Sequence, residues 1–387
     1  MKIYLLGNIA DVQTGPFGSQ LHKEDYVEFG TPMVTVEHLG NRVFTKQNLP
    51  MISDSDKKRL NKYVLNEGDI VFSRVGSVDR CSYVDNKHLG WMFSGRCLRI
   101  RPRNVVYPLY LYYYFCMENT KQFIRNIAVG ATMPSINTKL MEDLKVPLPT
   151  MEMQQKIASI LSALDDKIEL NNRINENLES QAQAIFKDMI ADVQEQVPFT
   201  SIIQVFGGGT PKTSNQEYWN GKIPFFTPKD TGNPYVLTTE KNITPLGLNN
   251  CNSRLYPVNT VFLTARGTVG KVSLAGVPMS MNQSCYALVG KDGIHQIIVY
   301  HYVLETVKAL KHKASGAVFD AIITRDFDTE RVPALSSEQI NGYIAVAEPI
   351  YNEILNRTLE NKRLEELRDT LLPKLMNGEI DVSEVKI

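Results

Sequence analysis

The sequence predicts an α+β chain: two similar mixed α/β units joined by two long helices packed as an antiparallel coiled coil, a pseudo-twofold internal repeat. Three observations predict it. Two stretches with sustained helical apolar spacing open alike on Val-Pro, "VPLPTMEMQQKIASIL" from residue 146 and "VPALSSEQINGYIAVA" from residue 332. Four shorter segments recur elsewhere in the chain in one order. Charge alternates as well, although the whole chain is neutral. Residues 1–150 hold 19 Lys and Arg against 14 Asp and Glu, and 198–335 hold 13 against 9. Residues 151–197 hold 4 against 9, and 336–387 hold 6 against 10. These four blocks are the predicted domains: a globular unit, a central helix, a second unit, and a C-terminal helix with its tail. The two basic blocks are where contact with a polyanion belongs.

A chain of 387 residues can bury more than one core. The longest apolar run, "PLYLYYYFCM" at 108–117, is too short to span a bilayer and offers no small-residue cleavage site, so the reading is a soluble, unprocessed protein. Cys81, Cys97, Cys116, Cys251 and Cys285 are odd in number and never spaced Cys-x-x-Cys. That indicates neither a disulfide framework nor a zinc site, and the expected compartment is the reducing cytoplasm.

The repeat begins with "NIADVQTGPFGSQ" (8–20) against "SIIQVFGGGTPKT" (201–213), each an apolar strand-like run breaking into Gly and Pro. "DIVFSRVGSVDRC" (69–81) then faces "TVFLTARGTVGKV" (260–272), pairing Gly76, Ser77 and Val78 with Gly267, Thr268 and Val269. "FSGRCLRI" (93–100) faces "MNQSCYAL" (281–288), aligning Cys97 with Cys285. "GATMPSINTKLMEDLKVP" (130–147) faces "GAVFDAIITRDFDTERVP" (316–333). The runs "DIVFS", "CLRIR", "TVFLTA" and "CYALV" are short, β-branched or alternating, and bounded by turn formers, which predicts strands. "PLYLYYYFCMENTKQFIRN" and "IHQIIVYHYVLETVKALKHK" have helical apolar spacing. The tyrosines of the first belong to a core face sooner than to a base-stacking platform.

In the long helices a seven-residue seam runs through Ile157, Leu164, Leu178 and Ile185, and through Tyr343, Ile350, Leu364 and Leu371. Val346, Ile354, Leu367 and Leu375 stand beside the second seam. Asn171 and Arg357 interrupt the seams at matching positions, as a register-setting polar layer does. About forty residues at ~1.5 Å each give a rod of roughly 60 Å. An antiparallel pair of such rods relates the two units by a pseudo-twofold axis, the symmetry a duplex also has, with half-sites about one helical turn, ~34 Å, apart.

No catalytic constellation appears. "GGGTPKT" and "GTVGKV" lack the Gly-Lys-Ser/Thr ending of a phosphate loop, and Asn233-Pro234-Tyr235 lacks the second proline of an amino-methyltransferase site. The six histidines form no His-Glu-x-x-His, and Asp165 with Asp166 read as a solvated helix face. No cofactor, metal or catalytic residue is assigned. The remaining polar candidates are DNA contacts: Ser19 and Gln20 after the first Gly-Pro turn, with Thr210 and Lys212 at the matching place. Arg74, Ser77 and Arg80 are paired with Arg266, Thr268 and Lys271 around Gly76 and Gly267, as donors for phosphates or guanine edges. Asn282 and Gln283 suit adenine, and Arg96, Arg99, Arg101 and Arg103 alternate as one strand face does. Any one of these taken singly is better explained by a solvated surface, and only their doubling in both units brings the contact reading level with it.

The order of unit, helix, unit and helix resembles the DNA-specificity subunit of type I restriction-modification systems over essentially the whole chain. The resemblance rests on Pro147-Leu148-Pro149 followed by Glu152, Gln155 and Ile157, and on Leu371-Leu372-Pro373-Lys374-Leu375 with Gly378-Glu379-Ile380. It rests also on the "TGPFGSQ" and "GGTPKT" loops. The second helix departs from the pattern with Ala334-Leu335 where Leu-Pro is usual. The resemblance implies two target recognition domains that each read half of a split site in double-stranded DNA. It implies a helical spacer that docks two methyltransferase subunits, with restriction subunits joining later. Catalysis, S-adenosylmethionine and ATP would belong to those partners. A fused enzyme and a protein-binding coiled-coil scaffold are the competing readings, with the recognition part of a methylation-only assembly as the alternative within the DNA reading, and salt dependence separates the scaffold from a DNA reader.

Overall fold

The structure is a computed structural model that describes all residues except Phe17, Ser19, Asn233, 314–320 and 386–387. Candidate Ser19, the Asn233 tripeptide and the start of the fourth repeat match, 316–320, lie outside the described residues. The chain forms two compact units, Met1–Ile168 with Leu364–Ile387, and Glu169–Arg363. Among the described residues no helix is long and apolar enough to cross a membrane.

The main sheet of the first unit is antiparallel, in the order Ala10–Thr14, Cys97–Pro102, Ile70–Ser73, Cys81–Tyr83. Ile70, Phe72, Leu98 and Ile100 are buried on one face of the central strands, and Val71 and Cys97 on the other. A smaller sheet orders Tyr26–Val27, Met51–Ile52, Thr31–Val34 and Met92–Phe93, the last pair parallel. Lys2–Leu5 pairs with Lys145–Leu148 and ties the chain start to the residues before the central helix. The predicted tyrosine helix is two helices, Pro108–Cys116 and Glu118–Ile127, because Met117 adopts an extended backbone between them. Tyr110, Tyr112, Tyr113 and Tyr114 are all buried, and three of the phenols donate to named acceptors: Tyr110 to the Pro147 carbonyl at 3.0 Å, Tyr114 to the Lys145 carbonyl at 2.7 Å and Tyr113 to Asp165 at 2.7 Å. A buried tyrosine keeps its ring apolar and its hydroxyl satisfied, which excludes the stacking platform.

The second unit repeats this plan. Its main sheet runs Ile203–Gly207, Cys285–Gly290, Val261–Thr264, Val272–Ala275, with Tyr235–Val236 added parallel at the edge. Its smaller sheet orders Asn242–Ile243, Trp219–Phe226 and Ser280–Met281, again with a parallel pair. That pair matches Met33–Val34 with Met92–Phe93, and each leads into a threonine-capped turn, Thr35 and Thr227. One helix, Gln296–Lys313, stands where the first unit has two.

The long helices are Met151–Ala191 and Ser337–Met376, and each unit holds part of both. Within each unit the two parts run antiparallel. In the first, Lys156 donates to the Ser383 carbonyl at 2.6 Å and Arg368 to Asp165 at 2.7 Å. In the second, Asn171 donates to Asn361 at 2.8 Å, and Tyr343 donates to the Ala182 carbonyl at 3.0 Å. Asn171 and Arg357, the two polar interruptions of the seams, meet at 3.0 Å.

The buried line differs from a strict heptad seam. Ile157 and Tyr343 are buried, whereas Leu164, Leu178, Ile350, Leu364 and Leu371 are half-buried and Ile185 is 42% exposed. Phe186, Tyr351 and Leu372, one residue further on, are buried instead. A straight helix drifts ~20° per heptad against a 3.5-residue repeat, so four heptads from Ile157 turn the line by about 80°, from Ile185 to Phe186. Val346 and Leu367, expected at the flank of the seam, are likewise exposed.

Asp165 is not a solvated carboxylate. It is 7% exposed and accepts from Tyr113 at 2.7 Å and from Arg368, while Asp166 stays exposed and takes Arg42. Removing Arg368 would leave the buried Asp165 carboxylate without its counter-ion, whereas Arg368 is partly exposed and also pairs with Asp369. Arg368→Ala is expected to cost about 3 kcal/mol in urea unfolding, and joint replacement of Asp165 and Arg368 by leucine to recover most of it. Equal losses in both would disprove the pairing as the cause.

His301 is also buried, with Nε2 hydrogen-bonded to the Tyr343 and Tyr351 hydroxyls at 2.7 and 3.1 Å, and its ring stacks on Phe186. Burial, and then the Lys308 charge, pushes the imidazole down to about 3. The unfolded chain therefore takes up the proton first. The stabilisation is complete above pH ~6.5 and is lost as pH falls toward 3, amounting to about 2 kcal/mol by pH 5. His301→Gln should unfold with that much less pH dependence between pH 7 and 5, measured by urea titration at each pH.

Candidate nucleic-acid interface

In each unit the ladder brings three chain reversals to one edge of the main sheet. Thr14 opposes Leu98 and Ser73 opposes Cys97, so the ends of two strands and the start of the strand between them coincide. In the second unit Gly207 opposes Tyr286 and Thr264 opposes Cys285. The segments leaving this edge are 15–20, 74–80 and 94–96, and correspondingly 208–212, 265–271 and 282–284. Gly15 and Gly208 make the first reversal possible: a Cβ on them would lie 2.1 Å from the Ser94 carbonyl oxygen and 1.9 Å from that of Asn282. Gly76 and Gly267 turn the second with φ of 75° and 81°, the left-handed region that glycine occupies freely. A further segment pins that turn. Gly76 donates to the Pro134 carbonyl and Ile136 to that of Arg74, and Ile322 donates to that of Ala265.

The candidate residues fall unevenly on this edge. In the first unit Ser77 is exposed at the turn. Arg80 is exposed too, but its guanidinium reaches back to the Leu39 carbonyl. Arg74 is half-buried and donates to the Gly95 carbonyl at 3.1 Å, and Gln20 accepts from Tyr63 at 2.8 Å. In the second unit Arg266, Thr268, Lys271 and Lys212 are exposed. Thr210 donates to Gln283, which joins the first and third reversals. Asn282 is half-buried, and its Oδ1 accepts from the Ser284 amide at 3.0 Å. That bond fixes the orientation of the amide and leaves its second oxygen lone pair and its N–H donors for another partner.

Two further expectations are corrected. Arg74 and Arg266 are not equivalent, because the residues bridged to the pinning segment are Val75, opposite Ser135, and Arg266, opposite Ala321. Arg74 matches Ala265. The alternating arginines are not an exposed face either: Arg99 is 4% exposed and donates to Asp11, and Arg101 donates to Asp69 through two bonds of 2.7 Å. Alternation predicted a common face correctly, but that face is covered by the segment around Lys62 and Val64, whose carbonyls both arginines also bind. Arg96 remains exposed. Missed from the sequence were Lys308 and Lys311, distant in sequence from the turn at 265–271 yet beside it, as Lys311 donates to the Gly270 carbonyl. Missed too was the correspondence of Pro32 to Thr35 with Pro224 to Thr227, whose only sequence signal is a Pro and a Thr three apart.

The edge thus carries hydroxyl, amide and cationic donors on turns pinned by backbone hydrogen bonds, an arrangement suited to phosphate oxygens and base acceptors. Comparison with known proteins agrees on where the repeat lies. The family model of the type I restriction modification DNA specificity domain matches twice, over residues 1–180 and 194–342. The type I restriction enzyme HindI specificity subunit of Haemophilus influenzae is 27% identical over 403 aligned residues, spanning 82% of this chain and 88% of that protein. The putative type I restriction enzyme MjaX specificity subunit of Methanocaldococcus jannaschii is 24% identical, spanning 93% and 89%. The crystal structure of a type I restriction-modification system S subunit from M. genitalium shares the fold, with a TM-score of 0.57 and 14% identity over 97% of this chain and 95% of that one. With both halves matched by the same model, this chain belongs to the family of type I restriction modification DNA specificity domains.

Proposed function

We propose that this chain is the DNA-specificity subunit of a type I restriction-modification assembly and reads a bipartite target in double-stranded DNA. Residues 1–150 and 198–335 are its two target recognition domains, each reading one half-site. Residues 151–197 and 336–387 are an antiparallel helical spacer that sets the gap between half-sites and docks two methyltransferase subunits, after which restriction subunits join. The chain itself is non-catalytic and works in the cytoplasm, and methylation and cleavage belong to its partners. One observation carries the reading: the same three reversals stand at the same edge of the same sheet in both units, with different side chains on each. A common frame with divergent loops is what two readers of different half-sites require.

Co-expression with the genomic neighbours, followed by mapping of methylated adenines by single-molecule sequencing, should reveal a split motif that vanishes when this gene is deleted. Absence of any motif alongside a catalytically competent methyltransferase would remove the proposal. Within such a motif, Ser77→Ala with Arg80→Gln should relax only one half, and Arg266→Gln with Thr268→Ala only the other. Each lost base contact is worth about 1–3 kcal/mol of discrimination. Changes in both halves from either pair would contradict one reader per half-site.

A further inference from the structure

In the second unit the C-terminal end of helix Gln296–Lys313 meets the turn at 265–271. Lys311 Nζ donates to the Gly270 carbonyl at 3.2 Å, and a Cβ at position 270 would stand 2.7 Å from the Lys311 Cε. A cleft of about 290 Å³ opens beside this contact, lined by Lys271, Lys308 and Lys311 together with backbone at Gly232 and Gly270. It has room for several waters at ~30 Å³ each. The one carboxylate in its lining, Glu179, accepts from Tyr300 at 2.7 Å. Lys308 pairs with Glu305 at 2.7 Å, but among the described residues Lys271 and Lys311 have no carboxylate partner. Burial, and then Lys271, lowers the Lys311 ammonium below its ordinary range.

The matching corner of the first unit is closed on itself. Asp79 stands where the second unit has Gly270, and it takes Arg125, which also binds Glu118 on helix Glu118–Ile127. Two neighbouring ammonium groups without a carboxylate partner repel each other, and burial takes hydration from Lys311. A bound anion would offset both.

We propose that Lys271 and Lys311 together hold a backbone phosphate of the DNA read by the second unit, so that this half-site is clamped electrostatically at a corner where the first is not. The inference rests on the reading of this chain as a DNA-specificity subunit. Its consequence is positional: a phosphate held at the end of the turn fixes the register of Arg266 and Thr268 against the base edges without itself reading sequence.

The test uses the full chain assembled with its methyltransferase subunits, binding a duplex that carries the mapped target, between 50 and 300 mM KCl as about the useful range for salt slopes. Lys271→Gln with Lys311→Gln should weaken binding and lower the slope of log affinity against log salt by about 0.9, the value of one phosphate. The methylated motif should not change. Lys271→Arg with Lys311→Arg should restore the wild-type slope, which a folding defect would not, and Arg125→Gln in the first unit should leave it alone. A wild-type slope in the glutamine variant, or an altered motif, overturns the clamp while leaving the proposed function standing. A wild-type assembly with no affinity for the duplex overturns both.

Discussion

The apolar stripes of the long helices need cover, and each unit supplies it by taking those stripes into its own core. Ile157, Ala158 and Leu161 lie in the first unit's core with Leu98, Ile100 and Tyr113, joined by Leu372 and Leu375 from the C-terminal helix. Ala182 and Phe186 lie in the second with Tyr343, Ala347, Tyr351 and Ile354, against Val261 and Leu288 of the sheet. Burial of a large aliphatic or aromatic side chain stabilises by about 1.5–3 kcal/mol, so the reversals at the sheet edge depend on residues far from that edge.

Polar groups inside this apolar packing fix its register. Asn171 accepts from Arg357 and donates to Asn361 and Glu360, and Asn361 donates to Asn172 at 2.8 Å. A sliding of one turn would leave Asn171 and Asn361 buried without partners, each costing about 1–3 kcal/mol, whereas aliphatic contacts tolerate sliding. The Asp165 pair does the same in the first unit, and the His301 hydroxyl pair locks the helix beneath the second sheet to the long helices. The network is not perfectly satisfied. Asn175 Oδ1 and Arg357 Nε are buried without a hydrogen-bond partner.

Against this frame the sheet edge is free to diverge. The ladder, the two close-approach glycines and the two left-handed glycines are common to both units, but the side chains on the turns are not. Ser77 and Arg80 stand against Thr268 and Lys271, and the first unit's Asp79 salt bridge is replaced in the second by Gly270 and an uncompensated lysine pair. Backbone geometry carries the similarity and side chains carry the difference, which is the division a pair of readers needs.

The sequence by itself determined the duplication, the strands at 70–73, 97–102, 261–264 and 285–290, the two long helices, and the polar layer of Asn171 and Arg357. Those features are local or periodic: a strand or a helix writes its spacing into neighbouring residues, and a repeat writes it twice. Tertiary structure alone decided which face of each element is covered. Alternation put Arg99 and Arg101 on one face without revealing that Lys62 and Val64 lie over it. A heptad line pointed to Ile185 where the 3.6-residue helix buries Phe186. The acidic pair at 165 and 166 looked uniform until Tyr113 and Arg368 met only one of them, and Lys311 joined the turn at 265–271 across forty residues of chain. Each depends on contacts between segments distant in sequence, and no local pattern encodes what will pack against it.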